Sequence, residues 1–96
     1  MGSGMHNTTI KNIDAILKLL KEVGEIHVRG TSKALELNTF VVSNIIDRYL
    51  TYFVEIRYIE QFGFKAKLIR LKPGMENTTP EDVIRYAKLK KKIKNI

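Results

Sequence analysis

The stretch from Thr31 to Leu50 constrains the fold most. It holds a short amphipathic run, a polar break at Asn38, and then a longer amphipathic run. The first run, Thr31 to Leu37, is too short to stand alone as a helix and must be held by neighbours. Asn38 is a good N-cap, because its side-chain oxygen accepts from the free N–H groups of the next turn. After it, Val42, Ile45, Ile46, Tyr49 and Phe53 recur at spacings of three and four, which predicts one buried helical face. Ser43, Asn44, Asp47, Arg48 and Thr51 fall on the opposite face. Two helices joined by a tight turn are therefore expected, the second presenting polar side chains outward.

Upstream, residues 8 to 24 predict a first helix. Its stripe is Ile10, Ile13, Leu17, Leu20 and Val23, with Ile16 beside it. Gly24 sits where a left-handed residue ends a helix. Glu25 to Arg29 alternates apolar and polar and predicts a short strand. Gly30 then breaks the chain, and Thr31 is expected to cap the second helix. His27, alone in that strand, reads as an exposed or bridging polar residue, not as a metal ligand or base.

Downstream, residues 57 to 72 predict an antiparallel hairpin turning at Phe62-Gly63 and ended by Lys72-Pro73-Gly74. Lys65, Lys67, Arg70 and Lys72 give its second strand four positive charges, against Glu60 on the first. Lysines on an edge strand also discourage aggregation, so this charge has a structural use as well. Met75 to Thr78 reads as a linker. Thr79-Pro80-Glu81-Asp82 is a strong helix start: a hydroxyl cap, proline in the first turn, and two acids at the positive helix end. The helix is expected from Pro80 to about Asn95. Its apolar positions, Val83, Tyr86, Leu89, Ile93 and Ile96, form a seam among Arg85, Lys88, Lys90, Lys91, Lys92 and Lys94. Such a seam packs either on its own domain or on the same helix of a second subunit, and pairing with a second copy is the favoured use.

The chain has 96 residues, enough for one domain with a modest core that a two-fold partner would supplement. Met1-Gly2-Ser3-Gly4 before a second methionine reads as a cloning scar, with Met5 the expected native start. The expected division is then residues 5–75 as one domain and 76–96 as a basic amphipathic helix. There are no cysteines, which excludes disulfides and thiolate metal sites. No apolar run approaches a membrane span, so a soluble, cytoplasmic protein is expected. A net charge of +7, with a pI near 9.8, favours a polyanionic partner, because neutralised phosphates release counterions. Small lysine-rich proteins are also basic for reasons of genome composition.

Catalytic patterns are missing from the sequence. It has no phosphate-binding glycine loop, no Gly-x-Ser-x-Gly elbow and no His-Glu-x-x-His pair, and its acids are scattered. No enzyme activity, cofactor or metal is expected.

The order helix, short strand, helix, helix, hairpin, helix resembles the winged helix-turn-helix family. Within that family it resembles small archaeal PadR-like regulators with an added C-terminal dimerisation helix. The resemblance covers residues 10 to 96 and rests most on Ser32, Leu35, Leu37, Asn38, Val42, Ile46 and Tyr49, at the family's small, apolar and capping positions. Two departures stand out. Glu36 lies near the inter-helix turn where the family often has Gly, and Thr39-Phe40-Val41 is more apolar than most DNA-reading turns. The expected fold is mainly α with a small β-hairpin. The function this implies is sequence-specific binding of double-stranded DNA by a homodimer, as a transcriptional regulator or a plasmid partition (centromere-binding) factor associated with nucleoid or plasmid. Thr39, Phe40, Ser43, Asn44 and Arg48 would lie on the recognition helix. Arg57, Lys65, Lys67 and Arg70 would reach phosphates or the minor groove from the wing. Phe40 and Val41 suit thymine methyls or a partner subunit. Two alternatives stay open: a protein-interaction adaptor that no longer reads DNA, and an RNA-binding winged helix.

Overall fold

A computed structural model describes residues 7–61 and 63–94. The expected scar (residues 1–4), Met5, Phe62 of the expected turn, and Asn95 and Ile96 of the last helix lie outside the described residues. The chain runs α1 (Asn7–Val23), β1 (Glu25–His27), α2 (Val28–Leu35), α3 (Thr39–Ile45) and a π-helical turn (Ile46–Leu50). It continues through β2 (Val54–Gln61), β3 (Phe64–Leu71) and α4 (Pro80–Lys94). It is mainly helical, with one three-stranded antiparallel sheet in the order β1-β3-β2.

Helix α1 is the central pillar. Ile13, Ile16, Leu17 and Leu20 are buried along it and meet Val42, Ile46, Leu50, Phe53, Ile69 and Val83 in one core. Ile16 belongs at the centre of the stripe, whereas Val23, expected on it, is exposed. Gly24 ends the helix in the left-handed region at φ 84°, and its N–H donates to Leu20 O at 2.9 Å. This is the helix end expected of a residue without a Cβ.

The second helix starts earlier than the sequence predicts. Thr31 does not cap it, and Gly30 lies within its first turn. The cap is His27, whose backbone is extended and whose Nδ1 accepts from Gly30 N–H at 2.8 Å. Strand β1 therefore stops at His27 and does not run to Arg29. Gly30 makes this possible sterically, because a Cβ there would lie 2.6 Å from the His27 ring. Thr31 is fully buried instead, its hydroxyl donating to His27 O at 3.1 Å. His27 has a local structural role as the helix cap.

The turn between α2 and α3 is held by side chains. The Ser32 hydroxyl donates to Leu37 O and accepts from the Thr39 hydroxyl at 3.1 Å. Asn38 caps α3 as expected, its Oδ1 accepting from Phe40 N–H at 2.7 Å. Glu36 is the one described non-glycine residue with positive φ, at 55°. An L-residue in this left-handed conformation costs about 1–2 kcal/mol, which glycine does not incur. Glycine loses about 0.5–1 kcal/mol of that advantage to its freer unfolded chain. Glu36→Gly is thus expected to raise stability by about 0.5–1 kcal/mol in urea unfolding. A loss of stability would mean that the Glu36 side chain contributes something the backbone does not reveal.

The chain after Ile45 departs from α geometry. Ile46–Leu50 forms a π-helical turn, which advances less per residue than an α turn. As a result Leu50 returns to the inward stripe and is fully buried, while Tyr49, expected on that face, is half-buried. Phe53 closes the stripe, and β2 starts at once at Val54.

Strands β2 and β3 pair in register from Val54↔Leu71 to Gln61↔Phe64, three residues longer at the start than the predicted 57–72 hairpin. Gly63 supplies the turn with φ 80°. The predicted strand before α2 pairs with this hairpin, Ile26 opposite Ile69.

The Met75–Thr78 segment is not a free linker. Thr78 is buried, its hydroxyl donates to Met75 O at 2.7 Å, and Lys21 Nζ donates to Thr78 O at 2.9 Å. Helix α4 then opens with a reciprocal cap: Asp82 N–H donates to the Thr79 hydroxyl at 3.3 Å and Thr79 N–H donates to Asp82 Oδ2 at 3.1 Å. The Thr79 backbone N–H, then its hydroxyl and the Arg85 guanidinium, hold the Asp82 carboxyl below the usual carboxylate range. Val83 is fully buried in the common core. The first turns of α4 thus share the core of the 5–75 region.

Candidate nucleic-acid interface

Helix α3 and the π turn point one set of polar side chains away from the core. Phe40, Asn44, Asp47 and Arg48 are exposed, and Ser43 is half-buried. Thr39 is also exposed, but its hydroxyl donates to Ser32 and serves the turn. Phe40 is 74% exposed.

The four hairpin cations do not share one surface, because side chains alternate along a strand. Lys65 and Lys67 lie on the face of β3 that also carries buried Ile69, the face turned toward the helices. Arg70 lies on the opposite face, and so does Arg57, which is opposite Leu68. The two arginines are engaged there: Arg57 with Glu25 at 2.7 Å, and Arg70 with Glu55 at 3.0 Å. They brace the outer face of the sheet across all three strands. The expected cluster of Arg57, Lys65, Lys67 and Arg70 is therefore two separate pairs.

The helix-facing pair is joined to α3 and its continuation. Lys67 Nζ lies 2.9 Å from Asp47 Oδ1, and the Lys67 side chain is only 21% exposed. This contact fixes which side of the hairpin adjoins which side of the third helix. Lys65 sits farther out, 3.9 Å from Glu60, with both side chains well exposed. Exposed ion pairs of this kind are worth about 0–1 kcal/mol and exchange readily for another anion. Tyr58 pairs across from Lys67 and is 70% exposed. Sequence reading missed it, since alternation aligns Tyr58 with buried Val54 and suggests core. Only the projection of the hairpin beyond the helices leaves it in solvent.

Three further cations near this region have no carboxylate partner among the described residues: Arg48, and Arg29 and Lys33 on the exposed side of α2. The spacing of Arg29 and Lys33, one helical turn apart, was the available signal for them.

The expected seam of α4 divides. Val83 is consumed by the core of its own chain. Tyr86 stacks on Tyr52 at 4.3 Å between ring centroids and meets Phe53 edge-on at 5.7 Å. Leu89 is 53% exposed at the rim of a shallow, open groove of about 380 Å³ lined by Tyr52, Met75, Thr78 and Tyr86. Ile93 lies in the last turn of α4, with its side chain outside the described part, and Ile96 lies outside the described residues.

Among the described residues no helix is long and apolar enough to cross a membrane, and no group of three or more His, Cys, Asp or Glu is placed to hold a metal ion. Comparison with protein-family models, with curated proteins and with solved structures finds no match to this chain.

Proposed function

We propose that this chain is a winged-helix protein that binds double-stranded DNA as a homodimer, acting as a transcriptional regulator or a centromere-binding partition factor. On this reading α2 and α3 form the helix-turn-helix, and the β2–β3 hairpin is the wing. The observation that carries it is the Lys67–Asp47 contact. It joins the Tyr58–Lys65 side of the hairpin to the exposed side of the π turn that continues α3, in a chain of net charge +7. Asn44, Ser43 and Arg48 would face the major groove, and Phe40 suits a thymine methyl. Lys65 and Tyr58 would meet the backbone from the wing, with Arg29 and Lys33 on flanking phosphates. Arg57 and Arg70 leave the contact set, because they brace the far face of the sheet. Pairing of two copies would use Leu89 and the last turns of α4, since Val83 is committed within its own chain.

Fluorescence anisotropy with a labelled random duplex, titrated over a range of salt, tests this directly. Log affinity should fall linearly with log salt, by about 0.9 for each phosphate neutralised. Absence of binding at high micromolar protein in low salt would overturn the reading. Competition that favours A-form or single-stranded RNA would redirect it to RNA.

One observation favours a second reading as a protein-interaction adaptor. Phe40 stands exposed at the start of α3, and both helix-facing hairpin lysines have carboxylate neighbours. Phe40→Ala then discriminates: an adaptor loses its partner protein, whereas a DNA reader keeps random-duplex affinity.

A further inference from the structure

Asp47 is an acid beside Arg48 and Lys67 on a surface that also carries Lys65, with Glu60 farther out along the hairpin. A carboxylate there repels phosphate, so it weakens binding to any duplex unless it has a specific task. Its geometry supplies one. Oδ1 accepts from Lys67 at 2.9 Å, while Oδ2 has no hydrogen-bond partner among the described residues. The residue lies in the π turn beside Arg48, on the outward side, and remains 56% exposed. A carboxylate that uses one oxygen for Lys67 keeps the other available as an acceptor on an exposed side chain.

We propose that Asp47 is a specificity-determining residue that accepts a hydrogen bond from an exocyclic amino group in the major groove, with Lys67 as its positioning residue. The proposal rests on the DNA-binding reading. The bases with such a donor are cytosine, through N4, and adenine, through N6. A guanine or thymine at the same place presents an acceptor to the carboxylate, and the repulsion is then uncompensated. Asp47 thereby penalises random duplex and is relieved only at a matching base. Lys67 limits the penalty by neutralising part of the charge, and it aims Oδ2 by holding Oδ1. The long lysine stem spans from β3 to the π turn and brings its ammonium to Oδ1. Twenty residues of chain separate the two partners, so the pair reports tertiary structure and not helix propensity.

The test is selection from a randomised duplex pool, run with the full chain and with Asp47→Ala and Lys67→Met, combined with anisotropy on random duplex. The unsubstituted chain should select a site with one position restricted to an amino-bearing base. Asp47→Ala should relax that position by roughly tenfold or more while binding random duplex more tightly. Lys67→Met should relax the same position while binding random duplex more weakly. Opposite shifts in general affinity with a shared loss at one base are not produced by an ion pair that merely braces the wing. If Asp47→Ala keeps every base preference of the unsubstituted chain, the proposal fails and DNA binding stands. If the unsubstituted chain binds no duplex, both fail together. Both side chains lie at the surface, and thermal unfolding of each variant checks that the fold is retained.

Discussion

Ending the chain at Met75 is expected to lower the melting temperature by about 12–32 °C. Val83 is completely buried between α1 and the rest of the core, and burial of such a side chain contributes about 1.5–3 kcal/mol. Tyr86 adds a stacked contact to Tyr52 and an edge contact to Phe53, and aromatic pairs contribute about 0.5–1.5 kcal/mol beyond their area. Removing both, and uncovering Phe53, costs roughly 3–4 kcal/mol by these figures. In a domain of this size each kcal/mol moves the midpoint by about 4–8 °C. A truncated chain with an unchanged midpoint would show that α4 is an appendage. The full-length Val83→Ala variant isolates the core contribution, and Leu89→Ala should leave the midpoint alone at concentrations too low for pairing. This matters for oligomeric state. A shortened chain that no longer pairs could have lost its interface or its fold, so Leu89→Glu in the full chain, measured by light scattering, is the cleaner probe of pairing through α4.

The second large effect is expected on DNA. Arg48→Ala should weaken binding to a selected site by about 1–3 kcal/mol, roughly 5- to 150-fold, and weaken random-duplex binding by much less. Arg48 is exposed on the outward side of the third helical segment without a carboxylate partner among the described residues, so its guanidinium is free to bind guanine through two donors. Lys65→Ala should behave differently. Its loss should weaken all duplexes alike and reduce the salt slope by about one, as expected for a phosphate contact. Equal losses from Arg48→Ala on selected and random duplex would remove Arg48 from base reading. An unchanged salt slope for Lys65→Ala would remove the hairpin from the interface.

Much of the secondary structure was legible because its causes are local. The α1 stripe, the Asn38 cap, the Thr79-Pro80 helix start and the short strand before α2 all follow from spacing and from donors within one turn. The misreadings also have identifiable local causes. Histidine is a rare cap, so Thr31 was expected in the role that His27 fills once Gly30 leaves space for its ring. The π turn has no strong composition signal, and it brings Leu50 fully into the core while Tyr49 packs against the core half-buried. The candidate surface was less legible than the fold. Sequence counts charges, and the cations of the hairpin were all counted correctly. It does not say which face of a strand looks at which helix.

That division runs through the whole molecule. The local sequence determined that a turn capped by Asn38 would join two helices, since caps and apolar periodicity act within a few residues. Tertiary structure alone decided that Lys67 would meet Asp47, that Arg57 and Arg70 would brace the sheet's far face, and that Val83 would be spent in its own core. Those outcomes depend on how a hairpin and a last helix pack on α1. Packing is set by the summed burial of residues far apart in the chain, and no short stretch of sequence contains that sum.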